Sequence, residues 1–362
     1  MGTFMRVSFL HGCNYPWSVD GSTVYYGLDF GVNVWGSHLG VSTRRAAVAR
    51  DFAQMARLGC TVVRWFVFCD GRSGIVFDER GMPSGLDDRA LADLDTALEV
   101  AHEVGIALVL VLLDHAFMFS GRVATFPDAV TGASLEVHLP DGRAPVLLSD
   151  EGADALFSRV FEPLVRRYGP RGARADLASA VCAYELMNEP DFVVEEWEQD
   201  LSARVTTPIP FARLADHVSR LSALVHRDSL ASVTIAAARL RNLWAWDDPG
   251  LGLDWLQIHT YPDTARPDLD EDIYGRPAHT LGISHPVVIG ECPADGPNQH
   301  PPGAAPPPWT LGNYLEFATS NGYAGAWGWS FSGSDHYGRL VPEALADFAR
   351  RNPGLVNPRA LL

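Results

Sequence analysis

The feature that most constrains the fold of this chain is an alternation of short apolar segments with segments of helical periodicity. Strands are predicted at 7–15, 61–68, 106–114, 180–189, 232–238, 254–261, 286–291 and 324–331. Helices are predicted at 43–59, 86–105, 150–168, 209–227, 311–321 and 341–351, from apolar residues that recur at helical spacing. Six of these eight strands are followed by a helix, and this strand–helix alternation predicts an α/β fold, a (β/α)8 TIM barrel.

Nothing in the sequence marks a second domain. The 362 residues would allow two or three domains, but barrels of this kind reach that length as one. We therefore predict that residues 1–362 form a single barrel domain. Its strand-end loops are long at 115–149, 262–285 and 292–310, and such loops can wall a cleft into a pocket.

Charge and composition limit the partners that this chain can have. A net charge of −16 without clustered Lys and Arg argues against nucleic acid, whose phosphates need basic side chains. No apolar run approaches the roughly 18 to 20 residues that span a bilayer, so no membrane partner is expected. The N-terminus lacks the apolar core of a signal peptide, which predicts a cytoplasmic protein, or a secreted one if a leader has been removed.

The five cysteines are expected to be free thiols. Their number is odd, they lie in or beside apolar segments, and no CxxC pair indicates a structural zinc site.

Polar and aromatic residues collect at the ends of the predicted strands. Barrels of this type carry their chemistry at the carboxyl ends of the strands, so these side chains are expected to meet. They are Asn14, Arg64, Asp114, His115, Asn188, Glu189, His259, Tyr261, Glu291 and Trp329.

Two of them, Glu189 and Glu291, end the fourth and seventh strands, which face one another across a barrel. Each follows apolar residues, where loss of water can tune the pKa of a carboxyl group. Glycoside cleavage with retention needs two carboxyl groups about 5 to 5.5 Å apart, one as proton donor and one as nucleophile. Either glutamate alone would more simply be a solvated charge at a strand end. Together they favour catalysis.

Four motifs resemble glycoside hydrolase family 5, which contains cellulases and β-mannanases within clan A of the retaining glycosidases. The motifs are NEP (188–190), HTY (259–261), IGE (289–291) and AWGWS (326–330). The resemblance implies a retaining β-glycoside hydrolase that acts on β-linked oligo- or polysaccharide, of β-glucan or β-mannan type. It implies no cofactor and no metal ion.

By this resemblance Glu189 corresponds to the acid/base and Glu291 to the nucleophile. Asn188 corresponds to the asparagine that hydrogen-bonds the sugar 2-hydroxyl. Arg64 corresponds to the arginine whose charge would hold Glu291 ionised.

Four further substrate-site residues follow from the same resemblance. His259 and Tyr261 have the family's H-x-Y spacing, which turns both to the same side of a strand, and Tyr261 would donate to Glu291. Trp329 corresponds to the family's strand-eight tryptophan, which forms the floor under the cleaved sugar. His115 resembles the family's strand-three histidine, although the family has one more residue after the aspartate. Whether Asp114 or His115 faces the site is open.

Several alternatives also stay open at this point. A transglycosidase would use the same residues, and a non-catalytic sugar-binding barrel would keep the fold alone. A metal-dependent hydrolase would need an HxH pair on the first strand, which offers His11 only. The sugar, the linkage, the mode of attack along a chain and the oligomeric state are not fixed by the sequence.

Overall fold

The computed structural model describes residues 9–20, 23–26, 41–71, 74–119, 122–127, 134–139, 143–197, 207–261, 273, 275–294, 310–332 and 340–356. The strands in these ranges are β1 (Leu10–Asn14), β2 (Trp17–Asp20), β3 (Thr23–Tyr26), β4 (Val62–Phe66), β5 (Ile75–Phe77), β6 (Pro83–Leu86), β7 (Ala107–Asp114), β8 (Arg122–Pro127), β9 (Ser134–Leu139), β10 (Val181–Asn188), β11 (Ser232–Ala237), β12 (Trp255–His259), β13 (Val287–Pro293) and β14 (Gly325–Trp329). The helices are α1 (Arg45–Arg57), α2 (Asp88–Val104), α3 (Ala144–Leu148), α4 (Asp150–Leu156), α5 (Glu162–Arg167), α6 (Phe211–Asp228), α7 (Leu240–Leu243), α8 (Leu311–Ser320) and α9 (Pro342–Arg351).

Eight strands close into a parallel barrel, which confirms the predicted fold. Around the barrel they follow the order β1, β14, β13, β12, β11, β10, β7, β4, and β4 pairs with β1. Each of the eight segments predicted as a strand supplies one of them.

Local sequence explains why these segments adopt their structures. Every residue of β7 is buried, as expected for a strand of a parallel sheet whose two faces are both covered. Helix α2 begins after Asp87, whose side chain accepts a hydrogen bond from the backbone N–H of Ala90. It ends at Gly105, where a φ of 77° suits glycine.

In the part of the chain that the structure describes, three antiparallel hairpins lie outside the barrel: β2–β3, β5–β6 and β8–β9. The third belongs to the 115–149 segment, where the sequence predicts a loop. The strict polar–apolar alternation of SLEVHL (134–139) is the strand signal, and the surrounding glycines and prolines obscure it. The other two long loops, 262–285 and 292–310, are described only in part. The residues outside the described ranges are 262–272, 274 and 295–309.

None of the five cysteines, which all lie in the ranges given above, forms a disulfide, as predicted. Four are buried, and Cys182 is half-buried. Within the ranges given above, each helix is too short or too polar to cross a membrane.

Candidate active site

Strands β4, β10, β12 and β13 bring six of the predicted site residues together at one end of the barrel, joined by hydrogen bonds and by the contact of His259 with Glu291. They are Arg64, Asn188, Glu189, His259, Tyr261 and Glu291. His115 borders this group, and Trp329 lies at the end of β14 nearby.

Glu189 and Glu291 approach each other closely across the barrel. One carboxylate oxygen of each, together with a ring nitrogen of His259, lies within 4.8 Å of the other two. That separation suits the retaining arrangement, in which no space is left for a water molecule between the carboxyl groups.

The backbone at Glu189 turns its side chain into the site. A strand alternates its side chains, so Asn188 and Glu189 would point to opposite faces if β10 continued. The strand ends at Asn188 instead, and Glu189 adopts the left-handed conformation (φ 46°, ψ 57°) just before Pro190. This conformation is uncommon for a residue with a side chain, and residues held in such conformations cluster at functional sites.

Glu291 is held by a cation and a hydroxyl group. The Nη1 atom of Arg64 donates to its Oε1 over 2.6 Å, and the Tyr261 hydroxyl donates to its Oε2 over 2.6 Å. Burial raises the pKa of Glu291, while the charge of Arg64 and the hydrogen bond from Tyr261 lower it. Both contacts are the ones that the resemblance implies.

Among the described residues, no guanidinium or ammonium group is hydrogen-bonded to Glu189. Burial raises its pKa to about 7, and the nearby carboxylates of Asp114 and Asp191 act in the same direction. The Nδ1 atom of His115, 3.9 Å from its Oε2, is too distant for a hydrogen bond. A carboxyl group in this environment is still substantially protonated at neutral pH.

His259 links the two glutamates. Its Nδ1 atom lies 2.8 Å from Oε1 of Glu189 and 3.5 Å from Oε1 of Glu291. Burial lowers its pKa to about 4, so the ring is neutral at pH 7. A neutral Nδ1 can donate to an ionised Glu189 or accept from a protonated one, so the contact persists in both protonation states.

The Asn188 amide is fixed between Arg64 and Asp114. Its Oδ1 accepts from Nη2 of Arg64 over 2.8 Å, and its Nδ2 donates to Oδ2 of Asp114 over 3.0 Å. Because arginine only donates, the amide atom that faces it must be the oxygen, and this fixes the orientation of the amide.

Asp114 and His115 both border the site, which answers the question left open by the sequence. Asp114 ends β7, and a 3-10 turn begins at His115, so strand alternation no longer separates the two side chains. Asp114 holds Asn188, while the His115 ring packs against Phe119 and Phe192, with ring centroids 5.4 and 4.9 Å away.

Trp329 ends β14, and the peptide bond to Ser330 is cis. Its indole packs edge-on against Phe66, with centroids 5.9 Å apart, and 8% of the residue remains exposed. Phe66, Cys69 and Val111 form one apolar cluster with it, and Tyr261 packs against that cluster.

Glu185 and Gln257 lie beneath the site, and neither is among the residues predicted from the sequence. Glu185 accepts from Nε and Nη2 of Arg64 over 2.9 and 2.7 Å, and Nε2 of Gln257 donates to it over 2.7 Å. A signal was present, because a charged residue within an apolar strand needs a buried partner. Gln257 also precedes His259 by two positions and so shares its face of the strand.

The two glutamates and His259 also have the spacing of a metal site. However, the guanidinium of Arg64 already occupies Oε1 of Glu291 and places a positive charge there. This charge opposes a cation, so the arrangement is better suited to proton transfer and nucleophilic attack than to metal binding.

Comparison with known proteins yields one curated relative. No family model matches the sequence. The chain is 25% identical over 274 residues to a protein of rice (Oryza sativa subsp. japonica) described as a putative mannan endo-1,4-beta-mannosidase 5. The match covers 72% of this chain and 51% of the rice protein, so the chain spans about half the length of this relative.

Solved structures resemble the fold over nearly its full length. The β-mannanase of the blue mussel Mytilus edulis has a TM-score of 0.64 at 16% identity, covering 94% of this chain and 97% of the mussel chain. A glycoside hydrolase family 5 mannosidase of Rhizomucor miehei has a TM-score of 0.54 at 11% identity, covering 96% and 94%. These likenesses confirm, for the fold, the resemblance to family 5 noted in the sequence.

Proposed function

We propose that this chain is a retaining β-glycoside hydrolase of the family 5 type that cleaves β-1,4-linked mannan or its oligosaccharides. The observation that carries the proposal is the close pair of carboxyl groups, Glu189 and Glu291, in contrasting surroundings. Only Glu291 is hydrogen-bonded to a guanidinium. When the pair holds a single proton, that proton therefore resides on Glu189.

In the first step Glu189 gives its proton to the glycosidic oxygen as the bond to the anomeric carbon breaks. A carboxylate oxygen of Glu291 attacks that carbon from the opposite face, which forms a covalent glycosyl-enzyme and releases the leaving sugar. A pKa near 7 suits a proton donor that works at neutral pH.

In the second step Glu189, now ionised, takes a proton from water while the water oxygen attacks the anomeric carbon. The bond to Glu291 breaks and its carboxylate is regenerated. Two inversions at the same carbon give a product with the original β configuration.

Three neighbouring residues are suited to bind the sugar. Asn188 uses one N–H of its amide on Asp114, which leaves the other for the 2-hydroxyl of the substrate. The exposed part of the Trp329 indole is an apolar platform for the C–H face of a sugar ring. His115, fixed by two phenylalanine rings, lies beside the proton donor.

The choice of mannan over glucan is supported by the names of the relatives. The rice protein and the mussel enzyme are described as acting on β-mannan. No contact among the described residues distinguishes an axial from an equatorial 2-hydroxyl, so the choice rests on these names alone.

A direct test is hydrolysis of soluble β-mannan, β-glucan and aryl β-glycosides, with the first-formed anomer identified by ¹H NMR. We expect hydrolysis of the mannan with the β-anomer appearing first. Appearance of the α-anomer first would exclude the retaining mechanism. Activity on glucan alone would show that the substrate is β-glucan and not β-mannan. No activity on any β-glycoside would contradict the proposed function. An added sugar acceptor distinguishes hydrolysis from transglycosylation.

A further inference from the structure

The guanidinium of Arg64 uses all five of its N–H groups inside the barrel. Nε donates to Glu185, and Nη2 donates to Glu185 and to Asn188. Nη1 donates to Asn14 over 3.1 Å and to Glu291 over 2.6 Å. Five donors therefore meet five separate contacts, and the plane of the guanidinium is fixed in every direction.

Glu185 makes the bidentate contact in this network. It is fully buried, and apart from Arg64 its hydrogen-bond partner is Gln257. Gln257 is itself confined, because Nε2 lies 3.4 Å from Oγ1 of Thr234, and a Cβ atom at Gly290 would lie 2.5 Å from its Oε1. The lack of a side chain at Gly290 thus creates the space that Gln257 occupies.

Arg64 consequently faces two carboxylates with one positive charge. The ion pairs to Glu185 and Glu291 measure 2.7 and 2.6 Å and are both buried. In the low dielectric of the barrel each carboxylate weakens the hold of the guanidinium on the other. A nucleophile held by the full charge would be a poorer electron donor.

We propose that Glu185, held in place by Gln257, is a positioning residue that orients Arg64 and shares its charge, so that Glu291 stays reactive. The catalytic role of Glu185 rests on the proposed function. The charge sharing itself is a property of the folded protein and can be measured without a substrate.

The groups that face Glu291 come from three directions. Arg64 approaches from β4, Glu189 from the end of β10, and His259 and Tyr261 from the end of β12. Glu185 acts on Glu291 through Arg64. A substitution at Glu185 leaves all four of these groups in the protein.

The test is a titration of Glu291 in protein labelled with ¹³C at the glutamate carboxyl carbons, with the signal assigned by Glu291→Gln. In Glu185→Gln, Arg64 has only Glu291 as a carboxylate partner, so the midpoint of Glu291 should fall by about one pH unit. Glu185→Asp keeps the charge and should leave the midpoint near that of the wild type. An unchanged or raised midpoint in Glu185→Gln would overturn the proposal.

A matched control is Asp95→Asn on the outer wall of the barrel, where Asp95 accepts from Nε of Arg167 over 2.9 Å and from the Tyr168 hydroxyl over 2.9 Å. This substitution also removes a carboxylate paired with arginine, and the titration midpoint of Glu291 should not move.

If Glu185→Gln does not fold, Gln257→Leu tests the same proposal, with a shift of the Glu291 midpoint in the opposite direction. Without the donor from Gln257, Glu185 draws more of the charge of Arg64, and the midpoint of Glu291 should rise. No rise would overturn the proposal.

Hydrolysis assays on the same proteins separate the two hypotheses. The acid limb of kcat/KM should move with the NMR midpoint in Glu185→Gln, with kcat at least about tenfold lower because the nucleophile is displaced and weakened. A wild type without β-glycosidase activity contradicts the proposed function alone. If the wild type is active but the titration midpoint of Glu291 is the same in Glu185→Gln, the positioning role alone is contradicted.

Discussion

Tyr261 donates its hydroxyl proton to Oε2 of Glu291 over 2.6 Å. Tyr261 follows the end of β12, and Glu291 lies in the neighbouring strand β13. The neighbouring oxygen, Oε1, takes its hydrogen bond from Arg64. Each oxygen of this carboxylate thus has a donor of its own. Hydrogen bonds to a charged group are stronger than those between neutral groups, so both favour the ionised form.

Replacement of Tyr261 by phenylalanine should therefore raise the pKa of Glu291. We expect the acid limb of kcat/KM to move upward by about one unit and kcat to fall about tenfold or more, in line with the loss of a charged hydrogen bond. Tyr323→Phe is the matched control, since the Tyr323 hydroxyl donates to the carbonyl of Arg276 over 2.7 Å at another place. An acid limb that stays in place in Tyr261→Phe would contradict this role.

The alkaline limb of the pH profile should report Glu189. Its pKa is raised to about 7, and the first step needs the protonated form, so kcat/KM should decline as pH rises through about 7. Dinitrophenyl glycosides need no proton to depart, and with them this decline should vanish from the glycosylation step. Identical alkaline limbs for both kinds of substrate would show that another group controls them.

Chelation should not affect the enzyme. Glu189, His259 and Glu291 have the spacing of metal ligands, but the charge of Arg64 opposes a cation at this place. We expect the same kcat/KM before and after treatment with EDTA. Loss of activity that a divalent ion restores would overturn the metal-free mechanism.

His11 should make the protein less stable in mild acid. Burial lowers its pKa from 6.5 to about 4, so the unfolded chain takes up a proton at higher pH than the folded one does. Its contribution to stability is complete above pH 6.5 and is lost as pH falls toward 4, by about 3 kcal/mol in total. Urea unfolding at pH 7 and 4.5 should show a smaller difference in His11→Leu than in the wild type. Equal differences would contradict the assignment.

The sequence predicted the barrel well because its signals are local. A run of apolar residues that ends in a polar group shows both a strand and its carboxyl end, as at Asp114 and Asn188. The side of the barrel on which the chemistry lies follows from the same pattern. The contact between Tyr261 and Glu291 followed from the resemblance to a known family and agrees with the geometry.

The interior network could not be predicted in this way. Arg64 on β4 and Glu185 on β10 are separated by β7, where their pairing partners are Val109 and Val111. Their contact depends on the stagger of three strands, which no local pattern specifies. The left-handed turn at Glu189 is likewise a property of the assembled site, since nothing in NEP alone requires it.

The most direct test of catalysis by two glutamates is azide rescue of Glu291→Ala and Glu189→Ala, with the anomer of the product read by ¹H NMR on a dinitrophenyl β-glycoside. Without the nucleophile, azide attacks from the vacated side, and Glu291→Ala should give the inverted α-glycosyl azide. Without the acid/base, azide intercepts the intermediate on Glu291, and Glu189→Ala should give the retained β-glycosyl azide. Glu151→Ala, which removes an exposed glutamate paired with Arg80, should behave as the wild type. The same anomer from both rescues, or wild-type activity in Glu291→Ala, would contradict the assignment of the two roles.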